Sequence, residues 1–192
     1  MNNDPIARFK ELLGRAEQLG IPLHNAAAFA TTGCDLQPSA RVLLLKAVDQ
    51  RGFVFYTNLR SRKARQIQEN ARAAACFWWA QLHQQVRVEG GVELVSDAEA
   101  DEYFGTRARG SQIAAWASNQ SSELSSREEI LTAVITLTAK YKDRLVSRPP
   151  HWSGYRLVPE RIEFWKEQPD RLHDREVYTR QGEAWNVSRL AP

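Results

Sequence analysis

Cysteine is scarce: the 192 residues contain two, Cys34 and Cys76. They stand far apart, with no CxxC pair and no His/Cys cluster, which excludes a disulfide framework and a structural zinc site and makes a reducing, cytoplasmic compartment the expectation. Long apolar runs are missing too. Nothing approaches the length of a membrane span, and the opening MNNDPIARFK carries no apolar leader, so no membrane partner is expected. Charge of one sign never accumulates. The net charge is +3 and the pI about 9.0, without a basic run of five, an excess that favours small anionic ligands and is too diffuse for nucleic acid. There is no GxGxxG and no P-loop, so a Rossmann or NTPase reading has little support. Repeats and low-complexity tracts are absent.

What is there fits one domain over 1–192, long enough to bury a core. Asp4-Pro5 reads as a helix start, and Phe9, Leu12, Leu13, Ala16 and Leu19 recur at helical spacing up to Gly20. Ala26–Thr32 reads as a small-residue strand. Val42–Leu45 is a second strand, closed by Arg41 and Lys46. Asp49–Gly52 turns it back into Phe53–Thr57. A helix follows, with Ser61 as N-cap and Asn70 as its stop. Strands at Ala73–Trp79 and Gln84–Val95 come next, the second with a bulge at Gly90-Gly91. Capping boxes at Ser96/Glu99 and Ser125/Glu128 open two helices, with a short one over Ser111–Ala117 between them. Strands then recur at Tyr155–Val158, Arg161–Trp165, Arg171–Tyr178 and Trp185–Leu190. Antiparallel strands on short turns point to a small barrel rather than a βαβ sheet.

The charges are unusually placed. Arg62 and Lys63 fall in the first turn of a helix, where the macrodipole disfavours cations and free N–H groups point outward. Such a helix start suits a phosphate, although a solvated basic turn has the same appearance. Arg41 adds a cation from a neighbouring strand. Lys46, five positions on, should point to the opposite face, which suggests a second anion.

Two further groups stand out. In RLHDREVY, Arg171, His173 and Arg175 share one strand face by period two, an arrangement that asks for an anion unless the strand is simply solvated. Trp165, on the strand before, offers a wall to a flat ligand or else a core residue. Tyr103 and Arg107 are four apart on a helix, and Ser111 begins the next, where hydroxyl and N–H could both meet a phosphate. Gln120-Ser121 supplies polar groups from a loop, and Gln85 is an amide among apolar strand neighbours that wants a partner.

Taken in order, RVLLLK (41–46), GFVFYTN with SRK (52–63), QVRVEG (85–90), DEYF with RARGSQIAAWAS (101–118), QSS (120–122), RPPHWSGYR (148–156), PERIEFW (159–165), RLHDR (171–175) and RLAP (189–192) resemble the pyridoxine/pyridoxamine 5′-phosphate oxidases. The match covers nearly the whole chain. The resemblance implies an α+β, mainly β fold: a split antiparallel β-barrel with flanking helices that binds FMN across a homodimer interface. It implies that FMN is held by Arg41, Val42, Leu43, Leu44, Leu45, Lys46, Tyr56, Thr57, Arg62, Lys63, Gln85, Gln120, Ser121, Trp165 and Arg175. Lys46, Tyr103, Arg107 and Ser111 would take the substrate phosphate. Arg171, Leu172 and His173 would meet the pyridine substrate, with Arg171 and His173 catalytic, orienting it and assisting its deprotonation. The implied reaction is oxidation of pyridoxine or pyridoxamine 5′-phosphate by O2 to pyridoxal 5′-phosphate, with release of H2O2 and without a metal.

The chain departs from the family's pattern in three places. Family members often carry a basic, Tyr-containing arm ahead of the first helix, and this chain starts almost at that helix. Ala114 stands where SQIGAW has glycine, and Gln84 where arginine often precedes QVRVEG. Rival readings are an oxidase of phenazine-type substrates on the same scaffold and a non-catalytic flavin-binding protein. Retention of Lys46, Tyr103, Arg107, Ser111, Arg171 and His173 together favours the vitamin B6 substrate.

Overall fold

The computed structural model describes residues 4–192. The first three residues of the N-terminal stretch read above lie outside that range.

Helix α1 (Pro5–Gln18) starts where the sequence indicates, with Asp4 accepting from the N–H groups of Ile6 and Ala7. Phe9, Leu12 and Ala16 are buried by it, whereas Leu19 lies past its end, 60% exposed. Nine antiparallel strands follow: β1 (Ala26–Thr32), β2 (Pro38–Leu44), β3 (Ala47–Asp49), β4 (Gly52–Asn58), β5 (Arg72–Trp79), β6 (Gln84–Leu94), β7 (Trp152–Lys166), β8 (Asp174–Gln181) and β9 (Ala184–Arg189). They form one curled sheet ordered β2-β1-β5-β6-β7-β4-β3, with β8 on β7 and β9 on β8. The remaining helices are α2 (Arg62–Glu69), α3 (Asp97–Thr106), α4 (Arg109–Ala117) and α5 (Arg127–Lys140).

The inner face of the sheet holds Phe29, Phe53, Phe55, Phe77, Trp79, Val86, Val88 and Phe164, all essentially inaccessible. Phe9 closes the barrel from α1, edge-on to Phe53 and Phe77 at 4.8 Å each. Burial of such a side chain is worth roughly 1.5–3 kcal/mol, so α1 is part of the core.

Several boundaries differ from the sequence reading. The strands at 155–158 and 161–165 are one strand, β7. Pro159 does not break it, because a bulge opposite Glu89/Gly90 absorbs the extra residue Glu160. Gly90 is needed there: a Cβ would stand 2.0 Å from Val158 O. Strand β2 starts at Pro38 and ends at Leu44, so Leu45 and Lys46 lie beyond it and strand parity does not govern Lys46. The Ser125/Glu128 capping box is not made: Ser126 is the N-cap, and Ser125 bonds Glu129 instead. Helix α4 starts at Arg109, two residues early, and the Ser111 N–H is taken up by Ala108 O at 2.8 Å.

The largest correction concerns residues 171–173. Asp170 and Arg171 have φ of 54° and 62°, so the chain turns in a short 3₁₀ segment at Pro169–Arg171 and β8 starts only at Asp174. Period two therefore does not align Arg171, His173 and Arg175. Of the three, Arg175 alone is a strand residue.

Candidate active site

Helix α2 begins under a tight set of polar contacts. Lys63 is only 8% exposed. Its ammonium donates to Thr57 Oγ1 (2.9 Å), Ser61 Oγ (3.1 Å) and Gln120 Oε1 (2.8 Å). All three acceptors are neutral. Burial, and then the charge of Arg41, push its pKa down to about 8. A lysine buried without a carboxylate is costly and is relieved by an anion. Arg62 is exposed, and its backbone N–H donates to Ser121 Oγ at 3.2 Å. The Gln120-Ser121 loop thus meets the start of α2, with Ser121 at φ 70°.

Arg41 is held by its own sheet. It donates to Phe29 O (3.0 Å), Thr31 Oγ1 (2.7 Å) and Ser39 Oγ (2.5 Å). Thr31 and Ser39 both donate on to Gln66 Oε1 of α2, at 2.7 Å each. Burial, followed by the charge of Arg62, lowers its pKa. Arg41, Arg62 and Lys63, expected from sequence to converge, are near enough to feel one another.

Lys63, Thr57, Gln120, Leu43 and Tyr56 line one cleft of about 260 Å³, together with Arg107 and Trp152. Arg107 is the C-cap of α3, in an extended conformation rather than inside the helix. Its guanidinium lies 4.7 Å over the Trp152 ring, and burial lowers its pKa. Its Nη1 is buried with no hydrogen-bond partner, and an orphaned cationic donor of this kind calls for an acceptor from a ligand. Tyr103 stacks on Tyr56 at 4.1 Å, and Tyr56 in turn on Trp152 at 5.2 Å. Ser111 is exposed on α4.

A second group gathers along β6, β7 and β8. Gln85 pairs with Trp165, and Trp165 with Arg175, so the three occupy one cross-strand row. The Trp165 ring lies 4.5 Å from His173. His173 Nδ1 accepts from the backbone N–H of Gln168 at 3.2 Å, which leaves the ring proton on Nε2. His173 and Arg175 border a cavity of about 510 Å³. Arg171 and Leu172 are exposed on the turn. Lys46 stands in a third place, a groove with His24, Asn25 and Leu45. Val42 is 65% exposed and Leu44 partly so.

One chain thus gathers the expected residues in separate groups. Arg41 and Arg175 lie on strands five spacings apart in the sheet order, about 24 Å along the sheet.

Two side chains in this region escaped the sequence reading. Trp78, paired with Gln85 and edge-on to Trp165 at 5.9 Å, continues the cross-strand row at 50% exposure. Glu163 is a buried carboxylate under Arg175. The signal for Glu163 was visible as an acid between Ile162 and Phe164 in an apolar strand.

No helix among the described residues is long and apolar enough to cross a membrane. Residues 14–141 match the family described as pyridoxamine 5′-phosphate oxidase, and residues 152–192 match the pyridoxine 5′-phosphate oxidase C-terminal dimerisation region. The chain is 56% identical over 189 residues to the pyridoxine/pyridoxamine 5′-phosphate oxidase of Myxococcus xanthus strain DK1622, covering 98% of this chain and 92% of that protein. To the enzyme of the same name from Anaeromyxobacter dehalogenans it is 50% identical, covering 98% and 96%. Among solved structures it is similar to PhzG from Burkholderia lata 383 in complex with tetrahydrophenazine-1-carboxylic acid. The TM-score is 0.94 at 33% identity, over 99% of this chain and 93% of that one. A pyridoxamine 5′-phosphate oxidase-related, FMN-binding protein from Nostoc punctiforme shares the fold, with TM-score 0.78 at 17% identity and full coverage of both chains. Identity at this level across both of its regions means that the chain belongs to the pyridoxamine 5′-phosphate oxidase family, a family of oxidoreductases.

Proposed function

We propose that this protein oxidises pyridoxamine or pyridoxine 5′-phosphate with O2, yielding pyridoxal 5′-phosphate and H2O2. FMN is its cofactor, and the working unit is a homodimer with FMN at the subunit interface. The observation that carries the reading is the cleft where Lys63 is buried among neutral acceptors and Arg107 Nη1 has no partner. Two cationic donors held without a counter-charge fit phosphorylated ligands.

In this reading Arg41, Arg62 and Lys63 hold the FMN phosphate, with Gln120 and Ser121 steadying the helix start. The 42–46 stretch, Tyr56, Thr57, Gln85, Trp165 and Arg175 hold the rest of the cofactor. Lys46, Tyr103, Arg107 and Ser111 take the substrate phosphate. When bound, FMN supplies the acceptor for a hydride from the substrate C4′ and the means of reducing O2 to H2O2. The alcohol substrate then gives the aldehyde directly, and the amine gives it after imine hydrolysis. Arg171 and His173 orient the substrate, His173 as a donor from Nε2 while Gln168 occupies Nδ1. Arg175 places positive charge beside the cofactor site, where charge accumulates on reduction. The separation of the Arg41 and Arg175 groups within one chain supports completion of each site by a second copy.

A phenazine-type substrate is the second reading, favoured by the close likeness to PhzG. The two are separated by adding pyridoxine 5′-phosphate to the yellow protein in air and following peroxide. Stoichiometric pyridoxal 5′-phosphate and peroxide are expected. Failure to reduce the flavin, even without oxygen, would sink the vitamin B6 assignment.

A further inference from the structure

Glu163, near the C-terminal end of β7, is 2% exposed. An isolated carboxylate at that depth is expensive. It is matched by three guanidinium groups: Arg175 Nε at 2.9 Å from Oε1, Arg161 Nη2 at 3.0 Å from Oε2, and Arg87 Nη1 at 3.6 Å. Burial raises the pKa of Glu163, but the Arg175 hydrogen bond, the charges of Arg87 and Arg175 and the Arg161 bond outweigh it, and the carboxyl ends below its usual range.

The three arginines are not equivalent. Arg87 and Arg161 also pair with Glu89. The carboxylate partner of Arg175 is Glu163. On its far side Arg175 donates from Nη1 to Ala191 O at 3.0 Å, and its own carbonyl accepts the Leu190 N–H at 3.0 Å. The guanidinium is therefore gripped between a buried anion and the C-terminal main chain. Nη2 is left without a partner among the described residues. A free arginine samples many rotamers, whereas this one is fixed before any ligand arrives.

We propose that Glu163 is a positioning residue, which fixes the guanidinium of Arg175 for contact with FMN. The inference rests on the reading of Arg175 as an FMN-binding residue. Without the Glu163 anchor, Arg175 keeps its charge but loses its direction, and binding of the cofactor has to order it.

The test is a double-mutant cycle on the full-length protein, freed of FMN and titrated with FMN, with circular dichroism and thermal melting as controls. Glu163→Gln is expected to weaken FMN binding about tenfold when Arg175 is present and by less than about twofold in an Arg175→Ala background. Glu163→Asp keeps the anion but draws it back by one methylene, and should show the same pattern with a smaller loss. Equal losses in both backgrounds would overturn the proposal. So would loss of fold in both Glu163 variants, which would assign the residue to the barrel. If Arg175→Ala alone leaves FMN affinity unchanged, the failure lies in the reading of Arg175, and the proposal goes with it.

Discussion

The Lys63 ammonium donates to Gln120 Oε1 over 2.8 Å, joining the first turn of α2 to the loop after α4. The contact makes the loop one wall of the cleft that Lys63 and Arg107 share. An exposed polar loop thereby becomes part of the cleft proposed to take a phosphate, through one lysine.

In the proposed reading, Lys63→Ala removes one charge-assisted hydrogen bond to the FMN phosphate, worth roughly 1.5–3 kcal/mol. FMN affinity should fall about tenfold or more by that measure. Riboflavin, lacking the phosphate, should bind almost as before. Fluorescence titration of apoprotein with each flavin decides it, and equal losses for both would place Lys63 elsewhere.

The same lysine predicts a pH dependence. Its folded-state pKa is about 8, below the ordinary 10.5. Between these values the unfolded chain binds more protons, so this group makes apoprotein stability rise with pH in that window; below it the full penalty of the buried charge remains. FMN binding has the opposite trend. A bound phosphate favours protonated Lys63, so FMN affinity should fall above about pH 8, by at most about tenfold per unit. Riboflavin affinity should show no such fall. Isothermal titration at pH 7 and pH 9 in two buffers would also reveal proton uptake at the higher pH.

Arg171→Ala and His173→Ala should leave the protein folded and yellow, because both residues lie on the turn before β8 and outside the cleft lined by Lys63. Flavin reduction by pyridoxine 5′-phosphate in anaerobic single turnover should slow by about a hundredfold, the scale of a positioning error near the reacting atoms. Arg171→Ala should be the more damaging, since in the proposed reading its fixed charge both holds and polarises the substrate. Wild-type rates in both variants would remove them from the site.

Gly90→Ala tests the bulge that makes β7 continuous. The new Cβ would meet the Val158 carbonyl oxygen at 2.0 Å. Overpacking of this kind costs roughly 1–3 kcal/mol. A lower melting temperature with FMN affinity preserved in the folded fraction is expected. An unchanged melt would mean that the bulge relaxes freely.

The local fold was legible in the sequence where short-range chemistry decides it. Asp4, Ser61 and the Ser96/Glu99 pair cap the helices they were expected to cap, and Ala26–Thr32 is a strand at those residues. The cationic start of α2 was legible for the same reason: a charge against the helix dipole is a local anomaly. The family itself was legible from ordered motifs along the chain. Tertiary structure decided the rest. Residues 171–173 have a strand-like pattern, yet two consecutive positive φ angles turn them out of the sheet. Period two could not detect that turn. Pro159 looks like a strand break, and only the bulge opposite Glu89/Gly90 shows why it is not. The partners of Lys63, the orphaned Nη1 of Arg107 and the hold of Glu163 on Arg175 depend on segments distant in sequence meeting at hydrogen-bond distance. Sequence determined which residues carry charge and where the helices are capped; packing of the curled sheet against its helices decided which of those charges are buried without a counter-ion.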